Sequence, residues 1–345
     1  MSENRSKICQ TIHQLEWLIQ TDLGHRGIHH LPGNNLCTFC QGNLYRAVKF
    51  LAENPGIEIA VATGFFIPTA NPPAPENDGL PGALFIARGL NQLGYSVQLI
   101  SDANCILPLK QGLQLFPNEI DLIEFPLGDE TANQFTLHFF HDKQNLQCLI
   151  SIECVGPCHT ESTFLNQPRK PGKEELERFK LSGPRELSGE CLNMRGISVS
   201  KYAAPIHLLF DKKNHGNSIF TIGIGDGGNE IGMGAIPWQV IADNILNGLG
   251  GKIACSIPAN ATIVAGVSNW AGYALIAGLY LYLGRAKELT EVLSESTESE
   301  LMEIYFRSKS VVDGKLGIPA MSVDGIDWQI HLSIMKLMKD MIRIH

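Results

Sequence analysis

Six glycines fall within thirteen residues of this chain, in the run Ile222-Gly-Ile-Gly-Asp-Gly-Gly-Asn-Glu-Ile-Gly-Met-Gly234. Glycine loses more backbone entropy on ordering than any other residue. Such density is sustained where the backbone must take a positive φ or approach another group closely. The run follows the β-branched stretch Ser218–Ile222 and precedes a helix-like stretch at 236–249. It also carries three polar side chains, Asp226, Asn229 and Glu230, and no lysine or arginine. A tight strand-to-helix turn explains the glycines; the acids and the amide inside it point to a ligand or to chemistry.

The periodicity around the run predicts an α/β fold. Helices are expected at 6–22, 42–53, 82–93, 104–115, 129–142, 198–213, 269–284, 286–309 and 327–342. Strands are expected at 57–62, 95–101, 119–125, 146–152, 218–224, 252–256 and 261–265. Alternation of short apolar strands with helices indicates βαβ units. The expected architecture is one domain over 1–345, a multi-stranded, mostly parallel sheet with helices on both faces in a Rossmann-like three-layer sandwich. Residues 156–190, rich in proline and charge, are expected to form an inserted loop or lid. In open sheets of this kind ligands bind beyond the carboxyl ends of the strands. That rule groups the loops at Thr63-Gly64, Asp102, Glu153, the glycine run and Ser268-Asn269.

Net charge is −8 with a pI of about 5.8, which excludes nucleic acid and anionic membrane as the main partner. The uncharged stretch 261–284 is long enough to span a bilayer. A polar turn at Gly266-Val-Ser268-Asn269 divides it into a buried strand and a buried helix. Nine scattered cysteines, an odd number, fit free thiols in a reducing compartment, so a cytoplasmic location is expected. Cys37-x-x-Cys40 and Cys154-x-x-x-Cys158-His159 offer zinc-ligand types, but the loose spacing favours free thiols.

Gly223-x-Gly225-x-x-Gly228 matches the dinucleotide fingerprint by letter. The expected next strand, 252–256, ends without the acidic residue that would hold a ribose. Asp226 and Glu230 place negative charge where a pyrophosphate would sit. With no lysine after the glycines, a phosphate cradle fails too. What remains is Asp226, Asn229 and Glu230 as candidate catalytic groups. Two nearby carboxylates can divide into acid and base, or hold a divalent metal; no other cofactor is indicated. Arg195, in Asn193-Met-Arg-Gly196, and Arg26, between glycines, are candidate clamps for a substrate carboxylate. Ser268 and Asn269 read as hydrogen-bond donors rather than nucleophiles.

Several motifs then share one pattern. Thr63-Gly64-Phe65, Asp78-Gly79-x-Pro81-Gly82-Ala83, Asn193-Met194-Arg195-Gly196, Gly225 through Gly234, and Ala265-Gly-Val-Ser-Asn-Trp270 with Tyr273-Ala-Leu275 occur in this order. Together they resemble the D-glutamate cyclase family, specifically its C-terminal domain, which also occurs free-standing. The resemblance covers about residues 15 to 340. It implies a lyase that converts D-glutamate to 5-oxo-D-proline and water. It also implies a substrate site of Thr63, Gly64, Asp78, Gly79, Asn193, Arg195, Gly227, Gly228, Ser268, Asn269 and Arg26. The implied partner is a small acidic amino acid or its cyclised product, with a homo-oligomer allowed. Glycine-run N–H groups and Asn269 are expected to stabilise an oxyanion. Cys154 stands where the family tends to carry arginine, and Asn77 where it tends to carry threonine. Alternatives from other classes are a non-catalytic binder of an acidic metabolite and a dinucleotide-dependent oxidoreductase.

Overall fold

Six of the apolar runs pair into one parallel sheet in the computed structural model, which describes residues 3–116, 120–216 and 218–343. The strands are β1 (Glu58–Gly64), β2 (Ser96–Asp102), β3 (Asp121–Phe125), β4 (Leu146–Cys154), β5 (Phe220–Gly225) and β6 (Ala261–Val264). Their order is β3-β2-β1-β4-β5-β6, with every neighbour parallel. The chain therefore builds outward from β1 in one direction and then reverses from β4. That switch point between β1 and β4 is where a doubly wound sheet opens a crevice.

The helices that cover the sheet are α1 (Glu3–Ile19), α2 (Asn43–Glu53), α3 (Leu80–Gln92), α4 (Ile106–Leu113), α5 (Asp129–Asp142), α6 (Lys173–Ser182), α7 (Trp238–Asn244), α8 (Ser268–Tyr282), α9 (Glu295–Ser308) and α10 (Trp328–Arg343). Stretch 261–284 divides into β6 and α8 as its polar turn predicts. Among the described residues no helix is long and apolar enough to cross a membrane. Helix α8 is buried from Ser268 to Leu281, packed against α2 and α3. Burial of its large side chains, Trp270, Tyr273, Leu275 and Leu279 among them, stabilises the fold by about 1.5–3 kcal/mol each. Trp270 Nε1 donates to His331 Nδ1 at 3.0 Å, tying α8 to α10. These contacts fix the amino end of α8 at the strand ends.

Two expected elements are absent. Residues 252–256 form no strand: Gly250–Ile253 is one helical turn, and Gly251 O accepts from Trp238 Nε1 at 2.7 Å. Its apolar residues are buried by packing, Ala254 and Cys255 with Trp238 and Ile253 with Cys158 and Leu192, not by joining the sheet. Residues 198–213 form no long helix. Pro205 interrupts them, leaving a short 3-10 turn at Ile206–Leu209. The expected strand at 119–125 begins, at residue 119, outside the described residues.

Segment 156–190 is tied down at both ends. Pro157 bridges Cys191, and Cys158 bridges Cys255. Within it, Phe164 stacks on Phe179 with ring centroids 4.3 Å apart, and both meet Trp238 edge-on. All nine cysteines are free.

Candidate active site

The carboxyl ends of β1, β4 and β5 meet loops 22–28, 193–195 and 313–325 around a cavity of about 270 Å³. Arg26, Glu76, Glu153, Asn193, Arg195 and Asn229 line it, with Lys315 and Asp324 closing the opposite wall. Of the residues expected from the sequence, Arg26, Asn193, Arg195 and Asn229 reach the wall itself. Asp226 lies directly behind it. The others support them.

Glu153 is placed by a β-bulge. On the β1–β4 ladder Thr63 pairs with Ile152 and Gly64 with Cys154, so Glu153 has no partner. Its φ is +44°, a conformation a non-glycine residue rarely takes. Bulges re-aim side chains and gather at sites of this kind, and the strained backbone suits a functional position. Ser268 Oγ donates to Glu153 at 2.6 Å. Gly79 makes room: at φ +87°, an added Cβ would sit 2.4 Å from Glu153 Cβ.

Six buried or nearly buried acids surround this point: Glu76, Asp78, Glu153, Asp226, Glu230 and Asp324. They divide by what they accept. Glu230 folds back over the glycine run and takes the N–H groups of Asp226 (3.1 Å), Gly227 (2.7 Å) and Gly228 (2.8 Å). The anion cradle that the run resembles is therefore filled by the chain's own carboxylate. That leaves none of these three N–H groups for an oxyanion, contrary to expectation, and no place there for a pyrophosphate. No helix opens directly after the run; α7 begins only at Trp238.

Asp78 does the same work at the start of α8. It accepts from Gly79 N (2.9 Å), Asn269 N (2.8 Å) and Ser268 N (2.8 Å), capping α8 from 190 residues away. Asn269 reciprocates. Its Oδ1 accepts from Gly79 N and Gly82 N, and its Nδ2 donates to Asn77 O, so its amide is not free for an oxyanion either. Thr63 and Gly64 complete this frame at the end of β1, where Ser101 Oγ donates to Thr63 O at 2.6 Å.

Arg26 Nη2 meets Asp226 at 2.9 Å and Asp324 at 2.8 Å. Burial alone would lower its pKa, but these acids and Glu153 together raise it. Burial pushes Asp226 well above the usual carboxylate range, although Arg26 opposes the shift. Burial likewise raises Glu153, reinforced by the charges of Glu230, Glu76 and Asp78, and raises Glu76. Asp78 is pushed up to about 7 by burial, with its backbone N–H donors pulling the other way.

Glu76, Asp324 and Lys315 are not site residues by any sequence pattern, and Glu153 is marked there only as one of the strand ends beyond which ligands bind. Glu153 carries no motif beyond ending an apolar strand. Asp324 sits in Val323-Asp-Gly325, a turn signal, at φ +52°. Asp313 holds that turn by accepting from Ser322 Oγ and Gly325 N. Among the described residues the ligand atoms that converge are carboxylates, not cysteines.

With the site in view, the comparisons are direct. The family model "D-glutamate cyclase-like, C-terminal" matches residues 15–167 and 183–339. The chain belongs to the D-glutamate cyclase-like family. It is 28% identical over 338 residues to human "D-glutamate cyclase, mitochondrial", across 92% of this chain and 49% of that protein. The chain thus spans about half the length of this relative. Residues 168–182, which include α6, lie outside the matched segments.

Proposed function

We propose that this chain cyclises D-glutamate to 5-oxo-D-proline and water. The observation that carries the reading is the pair Glu153, on the wall of a small cavity, and Asp226, directly behind it, two neighbouring acids of raised pKa with cations on the cavity rim. The volume suits an amino acid rather than a dinucleotide, and the filled glycine cradle argues against the oxidoreductase alternative.

The proton balance explains why such a pair is useful. D-Glutamate enters as an ammonium with two carboxylates. The product keeps one carboxylate and one amide N–H. The C–N bond forms as a C–O bond of the γ-carboxylate breaks, and the oxygen leaves with the two protons that nitrogen gives up. No external proton is needed, only a relay from nitrogen to oxygen. Glu153, on the wall, takes the first proton from the amine, and Asp226 hands a proton to the departing oxygen. Glu230, whose oxygens are held by three N–H groups, keeps the turn in shape. Arg195 and Lys315 hold the substrate carboxylates. Arg26, already between two acids, sets the charge of Asp226. Folding an extended glutamate within a walled cavity supplies the proximity that ring closure requires.

The test is incubation of purified protein with D-glutamate, followed by chiral chromatography for 5-oxo-D-proline. Unchanged D-glutamate would overturn the reading. Thermal stabilisation by D-glutamate without turnover would leave the binding-protein alternative in its place.

A further inference from the structure

We propose that Cys158 and Cys255 form an oxidisable pair that closes to a disulfide under a hydroperoxide and clamps the two stretches holding the glycine run. The two residues face each other across an antiparallel bridge. His159 N donates to Ala254 O at 3.2 Å, and Ser256 N donates to Pro157 O at 2.8 Å. These bonds flank the pair. The N–H groups of Cys158 and Cys255 themselves go elsewhere, to Glu190 O and Gly228 O, both at 2.9 Å. That pattern defines the narrower kind of antiparallel pair, with Cα atoms about 4.5 Å apart and the two side chains close together. A disulfide requires a Cα separation of about 4.4–6.8 Å.

An independent observation concerns where the Cys255 sulfur lies. Its Sγ stands 2.4 Å from the point that a Gly156 Cβ would take. Residues 156 and 158 are two apart, on one face of an extended stretch, so Cys255 reaches toward the face that carries Cys158. Cys191 is the alternative neighbour, but it stands opposite Pro157. It is one residue out of step with Cys158, and successive side chains of an extended chain point to opposite faces. Neither sulfur of the pair is firmly held. Cys158 Sγ donates to Leu187 O at 3.1 Å, and Cys255 Sγ accepts from Ile257 N at 3.3 Å; sulfur is weak in both roles.

The step balances with hydrogen peroxide. The Cys158 sulfur attacks one peroxide oxygen, the O–O bond breaks, and a sulfenic acid and one water result. The Cys255 sulfur then displaces the sulfenic oxygen, which leaves with the Cys255 proton as a second water. Two thiols lose two electrons and two protons, and one S–S bond forms. Burial pushes Cys158 up to about 11, opposed by the N–H groups of Gly189 and Glu190, and pushes Cys255 well above its ordinary value. Those donors favour Cys158 as the attacking thiolate. Both thiols are buried, so the reaction waits on local opening of segment 156–190. Gly156 N donates to Asn229 O at 2.9 Å, as Cys255 N does to Gly228 O. The bridge therefore joins both supports of the run and closes a loop that contains β5 and α7. The pair stands on this geometry and does not depend on the cyclase reading.

The experiment treats reduced, folded, full-length protein with hydrogen peroxide, blocks the remaining thiols with N-ethylmaleimide, and maps linked peptides by mass spectrometry without reduction. A peptide joining residues 158 and 255 is expected, and dithiothreitol should remove it. Cys158→Ser and Cys255→Ser should each lose it, whereas Cys191→Ser should keep it. Circular dichroism melts establish that each variant is folded. The bridged protein should melt about 4 °C above the reduced one, because a long loop is closed in the unfolded chain. Absence of the 158–255 peptide from oxidised wild type would overturn the pair, whichever other cysteines are alkylated, over-oxidised or linked. A 158–255 bridge without a rise in melting temperature would overturn the clamp.

Discussion

The glycine turn at 226–230 and the amino end of α8 solve the same problem with opposite means. Each gathers backbone N–H groups at a strand end, and each fills them with a buried carboxylate. At the glycine turn the carboxylate is Glu230, two to four residues from its donors. At α8 it is Asp78, reaching across 190 residues to Ser268 and Asn269. The local device shapes a loop, whereas the long-range one joins β1's following loop to a helix on the other half of the sheet. Between them lie Glu153 and Asp226, whose carboxylates are not saturated in this way. Acids that share a cavity thus differ in duty according to how many N–H groups each accepts.

Removal of the long-range carboxylate should have the largest effect. Asp78→Ala strands two buried N–H groups, those of Ser268 and Asn269, and should cost about 3 kcal/mol, read as a fall in the denaturant midpoint. A cost below about 1 kcal/mol would mean that α8 is held by packing alone. Next, Glu153→Gln should lower kcat by about 100-fold or more while the melting temperature holds or rises, because it relieves like-charge repulsion. Equal losses of activity and stability would erase the distinction between the two kinds of acid.

Acid should act on the glycine-turn side first. His159 N donates to Ala254 O, next to Cys255, whose N–H donates to Gly228 O. Burial pushes the His159 imidazole down to about 4. A depressed histidine stabilises the fold above its unfolded pKa and loses that contribution as pH falls. Wild type should therefore lose stability relative to His159→Gln between pH 6.5 and 4, by about 2 kcal/mol at pH 5. Parallel curves for the two proteins would show that His159 is not held neutral. The smallest effect belongs to the rim. Arg195 is exposed, and Arg195→Ala should raise KM by about tenfold with kcat nearly unchanged, by steady-state kinetics on D-glutamate.

The parts legible in sequence are those with local physics. The short apolar strand runs and the polar Ser268-Asn269 step that opens α8 identify their elements. Helix 129–142 needed no adjustment. The misread stretches are those where a neighbour decides. Within 252–256, Ala254 and Cys255 are buried with Trp238 and Ile253 with Cys158 and Leu192, which no local pattern records. The site followed the same division. Asp226, Asn229 and Glu230 share one motif and were found together. Glu153 belongs to the end of β4 and Glu76 and Asp324 to two separate loops, and their convergence is a property of the β1–β4 pairing and of the Asp313-held turn. No spacing rule brings residues 76, 153 and 324 to one point.

The aromatic stack under segment 156–190 gives the molecule an optical handle. Trp238 is fully buried, with Phe164 and Phe179 against its ring and the Arg178 guanidinium 5.7 Å from its centroid. Trp17, by contrast, is 59% exposed. Loosening of α6 alone would bring water and a changed electric field to the Trp238 indole while the parallel sheet stays intact. In a variant with Trp17 replaced by phenylalanine, a red shift of emission ahead of global melting would therefore time the undocking of this segment.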